Sequence, residues 1–165
     1  MRYFKNDTLV CTSKKKAHLI DLSSAQSLQI NEKTSIKFDQ IKFNIGIDSL
    51  TSVSGVLEGD LDPINGMYWT WQSGYINFKL EGIASNCPAR NQKYYWHIGG
   101  YQEPFYMMRE ISLKYKQESA LNIAVQIDEL FGLIDISEIY QVMSPNEKAI
   151  QIADKLPVIF KTVLE

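Results

Sequence analysis

Tyr75-Ile76-Asn77-Phe78-Lys79-Leu80-Glu81 alternates strictly. Ile76, Phe78 and Leu80 fall on one side of an extended chain; Tyr75, Asn77, Lys79 and Glu81 fall on the other. That period of two belongs to a strand with one buried face. The pattern returns along the chain. Ile41, Phe43, Ile45 and Ile47 alternate with Lys42, Asn44 and Gly46. Ile111, Leu113 and Tyr115 repeat it, as do Leu121, Ile123, Val125 and Ile127. From Tyr94 to Tyr101, the residues Tyr94, Trp96 and Ile98 share one face, while Tyr95 and His97 share the opposite one. Thr8 to Thr12 and Ala17 to Leu22 read as two strands joined by a turn at Lys14-Lys15-Lys16.

The breakers Gly55, Gly59, Pro63 and Gly66 make the region from Ser49 to Gly66 loop-rich. Short helical or turn-like pieces are expected near Glu129 to Leu133 and Ser137 to Gln141. The period then changes. Ser144-Pro145-Asn146-Glu147 has the form of a capping box starting at Ser144, with proline at the first helical position. Ala149, Ile150, Ala153 and Leu156 recur at helical spacing. Pro157 lacks an amide hydrogen and ends that helix. Val158 to Leu164 is expected to restart as a second short helix. The predicted fold class is mainly β: an antiparallel β-sandwich with short C-terminal helices.

A chain of 165 residues, 45% hydrophobic and 12% aromatic, builds one domain with its own core and is not a disordered segment. A net charge of -2 argues against a nucleic-acid binder. No apolar run is long enough to cross a bilayer. Met1 to Asp7 is polar and charged, and does not read as an export signal. The two cysteines, Cys11 in a strand-like run and Cys87 in a loop, allow one disulfide at most. They lack metal-binding spacing and read as free thiols.

There is no G-x-S-x-G elbow, no H-E-x-x-H helix and no glycine-rich phosphate loop, so the chain reads as non-catalytic. Only two histidines are present. His18, in an apolar run, reads as a structural histidine with a satisfied ring. His97 precedes Gly99-Gly100, and two readings stay open: a metal ligand, or a histidine bonded to a loop carbonyl.

The richest stretch chemically is Gly59-Asp60-Leu61-Asp62-Pro63-Ile64-Asn65-Gly66-Met67-Tyr68-Trp69-Thr70-Trp71-Gln72-Ser73-Gly74-Tyr75. Met67, Trp69 and Trp71 share one face of a strand, with Tyr68 and Thr70 on the other. Thioether and imidazole ligands suit the soft Cu(I) ion, and an indole face can cap a cation. An aromatic core stripe accounts for the same residues. Asp48, Asp60 and Asp62, with Glu81, are hard oxygen donors near glycine turns. They suit Ca²⁺, though turn and capping duty is the commoner use of such residues.

Four blocks carry a family resemblance. They are Gly46-Ile47-Asp48-Ser49-Leu50, Gly59-Asp60-Leu61-Asp62-Pro63, Gly66-Met67-Tyr68-Trp69-Thr70-Trp71-Gln72-Ser73-Gly74-Tyr75 and His97-Ile98-Gly99-Gly100-Tyr101, followed by Met143-Ser144-Pro145. In this order they resemble the MbnP-like family. The resemblance implies a periplasmic or cell-envelope copper-binding protein. It also implies a tryptophan oxidised to kynurenine by a di-haem partner enzyme, joining histidines at copper. It places the copper at His97 with Met67, Trp69 and Trp71, so His97 is expected close to one of the two indoles at one end of the sandwich. Relatives usually begin with an export signal and one or two further strands. The expectation is therefore one domain over 1–165 without those parts.

The sequence departs from the family at Tyr68 and Thr70, where copper-binding relatives tend to carry histidine. A two-histidine site cannot be assembled from that block plus His97. Either Met67, Met107 or Met108 substitutes, or this branch has lost copper. The alternative reading is a recognition or structural domain of a surface lipoprotein without copper, in which Tyr68, Trp69, Trp71, Tyr75 and Tyr95 line an aromatic groove.

Overall fold

A computed structural model of the chain describes residues 1–30, 36–70, 72–116 and 120–163. Ten strands are described: β1 Arg2–Lys5, β2 Thr8–Thr12, β3 Gln40–Ile45, β4 Tyr68–Thr70, β5 Gly74–Ile83, β6 Lys93–Gly99, β7 Arg109–Lys114, β8 Asn122–Val125, β9 Gln141–Val142 and β10 Phe160–Val163. Three short helices accompany them: α1 Ser49–Val53, α2 Ile127–Leu133 and α3 Glu147–Ala153. The first sheet has the order β2-β1-β3-β7, the second β4-β5-β6-β9, and β10 pairs with β8 in a two-stranded ribbon. All pairings are antiparallel except β6 with β9. The mainly β, sandwich-like architecture with small C-terminal helices is the one the alternation predicts.

Larger of the two cores is the one beneath the second sheet. Trp96, Ile98, Met107, Leu130, Val142, Ile152, Leu156 and Ile159 are all fully buried there. Phe131 of α2 lies 5.5 Å from the Trp96 ring, and the Trp96 indole N–H donates to the Ile139 carbonyl at 2.7 Å. A smaller core of Tyr3, Phe38, Ile41 and Tyr115 lies against the first sheet. The rings of Phe43 and Phe160, 5.7 Å apart edge to face, link β3 to β10. Arg109 ties β7 to the end of α3 through Asp154, at 2.8 Å from Nε and 2.7 Å from Nη2.

Four local expectations are corrected. The N-terminal hairpin is β1 with β2, across Asn6 and Asp7, whose φ angles of 48° and 61° form the left-handed two-residue turn that matches strand twist. Ala17 to Leu22 is not a strand, and the lysine run is an exposed connection rather than a hairpin turn. Helix α3 is capped by Asn146, not Ser144: Asn146 Oδ1 accepts from the Ala149 N–H at 3.0 Å. After Pro157, Val158 and Ile159 complete a single 3-10 turn over Leu156–Ile159, and Phe160–Val163 then becomes strand β10, not a second helix, because β8 offers it a backbone ladder.

A further correction bears on the site. Ile76 opposes Gly99 while Phe78 opposes Ile98, so a bulge at Asn77 separates them. Directly opposed residues in an antiparallel pair share a face. Ile76 therefore lies on the face of Gly99 and His97, while Phe78 and Leu80 face the Trp96 core.

Candidate metal site

The pleat of β6 sorts its residues. Tyr94, Trp96 and Ile98 enter the main core, so Tyr95, His97 and Gly99 take the other face. His97 is only 8% exposed even on that face. Its Nε2 lies 2.6 Å from Glu81 Oε1 on β5. Lys79 Nζ approaches the same carboxylate at 3.6 Å. The His97 hydrogen bond, followed by the Lys79 charge, outweighs desolvation and holds the Glu81 carboxyl below its ordinary range. Tyr95 stands edge-on to the imidazole, with ring centroids 6.5 Å apart.

Trp69 comes from β4, the edge strand of the same sheet. Its indole Cζ3 lies 3.0 Å from the position a Cβ on Gly99 would take, so the ring rests where only glycine leaves room. Gly99 is two residues beyond His97 on the same face, a repeat of about 7 Å along a strand. The Met67 carbonyl accepts from the Ile76 N–H at 2.9 Å, which anchors the chain just before β4. Trp71 lies outside the described residues. Tyr68, on the alternate face, meets Tyr75 edge to face at 4.9 Å. Met107 is buried in the main core, and Met108 Sδ accepts from the Tyr106 hydroxyl at 3.6 Å.

The loop carboxylates have separate protein partners. Asp48 caps α1 by accepting from Thr51 N at 2.8 Å. Asp60 holds Lys15 Nζ at 2.7 Å and Leu19 N at 2.9 Å, and these two bonds lower its carboxyl pKa. Asp62 accepts from Ile64 N at 2.9 Å. Among the described residues, no group of three or more His, Cys, Asp or Glu side chains converges as a metal cage. Both cysteines are free thiols, Cys87 buried and Cys11 half-buried.

Sequence reasoning passed over Glu81 as the partner of His97 and grouped it with the loop acids. The signal for it was the outward phase of Lys79 and Glu81, opposite the outward Tyr95 and His97. Reading that signal needs the strand register. For the Lys15–Asp60 contact no sequence signal exists.

The MbnP family model matches residues 2–144, from β1 through the segment that precedes α3. The chain belongs to the MbnP family. Comparison with curated proteins and with solved structures returned no match. Within this MbnP-family chain, the match includes His97, Glu81, Trp69, Met67 and the whole acidic loop. Among the described residues no helix is long and apolar enough to cross a membrane.

Proposed function

We propose that this MbnP-family protein is a non-catalytic copper-binding protein of the cell envelope, which holds Cu(I) at His97 beside Trp69. The supporting observation is a buried imidazole on the outer face of the second sheet, held by a carboxylate at 2.6 Å and sharing that face with an indole. Glu81 accepts a hydrogen bond from Nε2–H, so Nδ1 is the ring nitrogen that offers a lone pair. A histidine whose second nitrogen donates to a carboxylate is the usual arrangement of a metal-bound imidazole.

The donor set matches a soft ion of low coordination number. One imidazole, the Met67 thioether and the faces of Trp69 and Trp71 suit Cu(I), whereas tetragonal Cu(II) calls for several N or O donors. An intact indole gives a metal no lone pair. Opening the Trp69 or Trp71 ring to kynurenine would add an aniline nitrogen and a ketone oxygen, and the oxidant for that step is the role of a di-haem partner. Calcium at Asp48, Asp60 and Asp62 is the weaker proposal, since each already serves a backbone amide.

Anaerobic Cu(I) titration against a competing chelator tests the reading. His97→Ala, which removes the ligand itself, is expected to weaken binding by more than the roughly 10–100-fold that loss of an outer-shell partner costs, and Met67→Leu to weaken it less. Unchanged affinity in His97→Ala overturns the copper reading. The half-buried Tyr68, Trp69 and Tyr95 would then be read as the edge of a recognition groove.

A further inference from the structure

Strand β5 changes register part-way along its length. Phe78, Lys79 and Leu80 oppose Ile98, His97 and Trp96, but Ile76 opposes Gly99. An unbroken ladder would set Asn77 opposite Gly99 and Ile76 opposite Gly100. The bulge thus displaces everything before Asn77 by one residue along β6, about 3.4 Å, and exchanges its two faces. Strand β4 belongs to that displaced half. Tyr68 opposes Tyr75, Thr70 opposes Gly74, and the Met67 carbonyl accepts from the Ile76 N–H at 2.9 Å. Glu81 and its bond to His97 lie on the other half. The placement of Trp69 relative to His97 therefore depends on the bulge.

What holds the bulge comes from outside its own sheet. Asn77 Oδ1 accepts from the Ile47 N–H at 3.2 Å, and Ile47 follows β3 of the first sheet. Just before it stands Gly46, at φ 100°, and a Cβ there would collide with the Asn77 amide group. The side chain of the extra residue is seated against backbone that only glycine can supply. Asn77 Nδ2, by contrast, is buried and has no hydrogen-bond partner among the described residues. A buried donor left unpaired is costly, and an apolar side chain of similar size would avoid it. Filling space does not explain an asparagine here; the bond to Ile47 does.

We propose that Asn77 is a positioning residue: its tie to Gly46 and Ile47 selects the bulged register of β5 and so seats Trp69 over Gly99, on the face of His97. Without the tie the ladder can close through Asn77 itself. That closure carries β4 one residue along and withdraws Trp69 from Gly99. The effect on metal binding rests on the copper site proposed at His97 and Trp69; the effect on register rests on the strand pairing alone.

Nuclear Overhauser contacts in the whole, copper-free chain test the register. The parent is expected to show the Trp69 ring against the Gly99 α-protons and Leu80 in register with Trp96. Asn77→Ala is expected to lose the first contact, keep the second and gain a contact between residue 77 and Gly99. Asn77→Asp keeps an acceptor for Ile47 N–H and is expected to retain the Trp69–Gly99 contact. In anaerobic Cu(I) titration Asn77→Ala is expected to bind about tenfold more weakly than the parent, the low end of what loss of an outer-shell partner costs. An unchanged Trp69–Gly99 contact in Asn77→Ala overturns the proposal, as does equal loss in Asn77→Asp. Loss of both contacts in Asn77→Ala overturns it too, since Asn77 would then support the fold alone. A parent that binds no Cu(I) removes the copper reading, while the spectra of the copper-free chain still decide the register.

Discussion

A carboxylate 2.6 Å from Nε2 decides which nitrogen of His97 is left to act. Ionised Glu81 only accepts hydrogen bonds, so the ring keeps its proton on Nε2 and its lone pair on Nδ1. We expect long-range ¹H–¹⁵N spectra of the neutral imidazole to show the Nε2–H tautomer alone. Glu81→Ala should release the ring into a mixture of tautomers, and Glu81→Gln, which keeps an acceptor, should preserve most of the parent pattern. An Nδ1–H spectrum in the parent would exclude this assignment. How much of this was legible depends on the residue. Alternation alone set His97 away from Trp96, because the pleat of a single strand is a local property. Glu81 and Trp69 needed the pairing of three strands and a bulge that shifts Ile76 across the sheet, and no local pattern encodes that.

At the scale of elements, helix α3 shows how a local signal can be right in kind and wrong in place. Ser144, Asn146 and Glu147 are all plausible around a helix start, and both Ser and Asn make good caps. The structure selects Asn146, whose side chain also donates to the Ser144 carbonyl at 2.9 Å. Asn146→Ala should therefore cost about 1 kcal/mol in chemical denaturation, and Ser144→Ala close to nothing. The opposite ranking would return the cap to Ser144. Strands β3, β5, β6 and β7 were readable because each buries one face. Strand β1 was not: only Tyr3 is buried in it, and its place is set by β3, far along the chain. Strand β10 escaped for a similar reason, since Phe160–Val163 is too short to show a period and takes its form from β8.

Across the whole molecule, the main core is an assembly of distant pieces. Trp96 and Ile98 come from β6, Leu130 from α2, and Ile152, Leu156 and Ile159 from the last part of the described chain. Leu156 is fully buried among them. Leu156→Ala should destabilise by about 2–5 kcal/mol through lost transfer energy and the cavity left behind. A thermal melt matching the parent would mean that this end of the chain packs far more loosely than its burial indicates. The smaller core of Tyr3, Phe38, Ile41 and Tyr115 shares none of these residues. The fold class was readable at this scale because alternation repeats along the chain, whereas the division into two cores depends on long-range packing.

The late position of Ile152, Leu156 and Ile159 has a consequence for biosynthesis. A ribosome delivers β5 and β6 long before it delivers the side chains that cover Trp96. Until residue 159 has emerged, the nascent chain can form hairpins but cannot close its main core. Closure of the main core is therefore deferred until that segment has been made, and a premature stop within α3 would leave an open sheet with Trp96 and Ile98 facing water. For a protein proposed to work in the cell envelope, that delay is useful, because a chain that has not yet closed its core can still be threaded through a secretion channel.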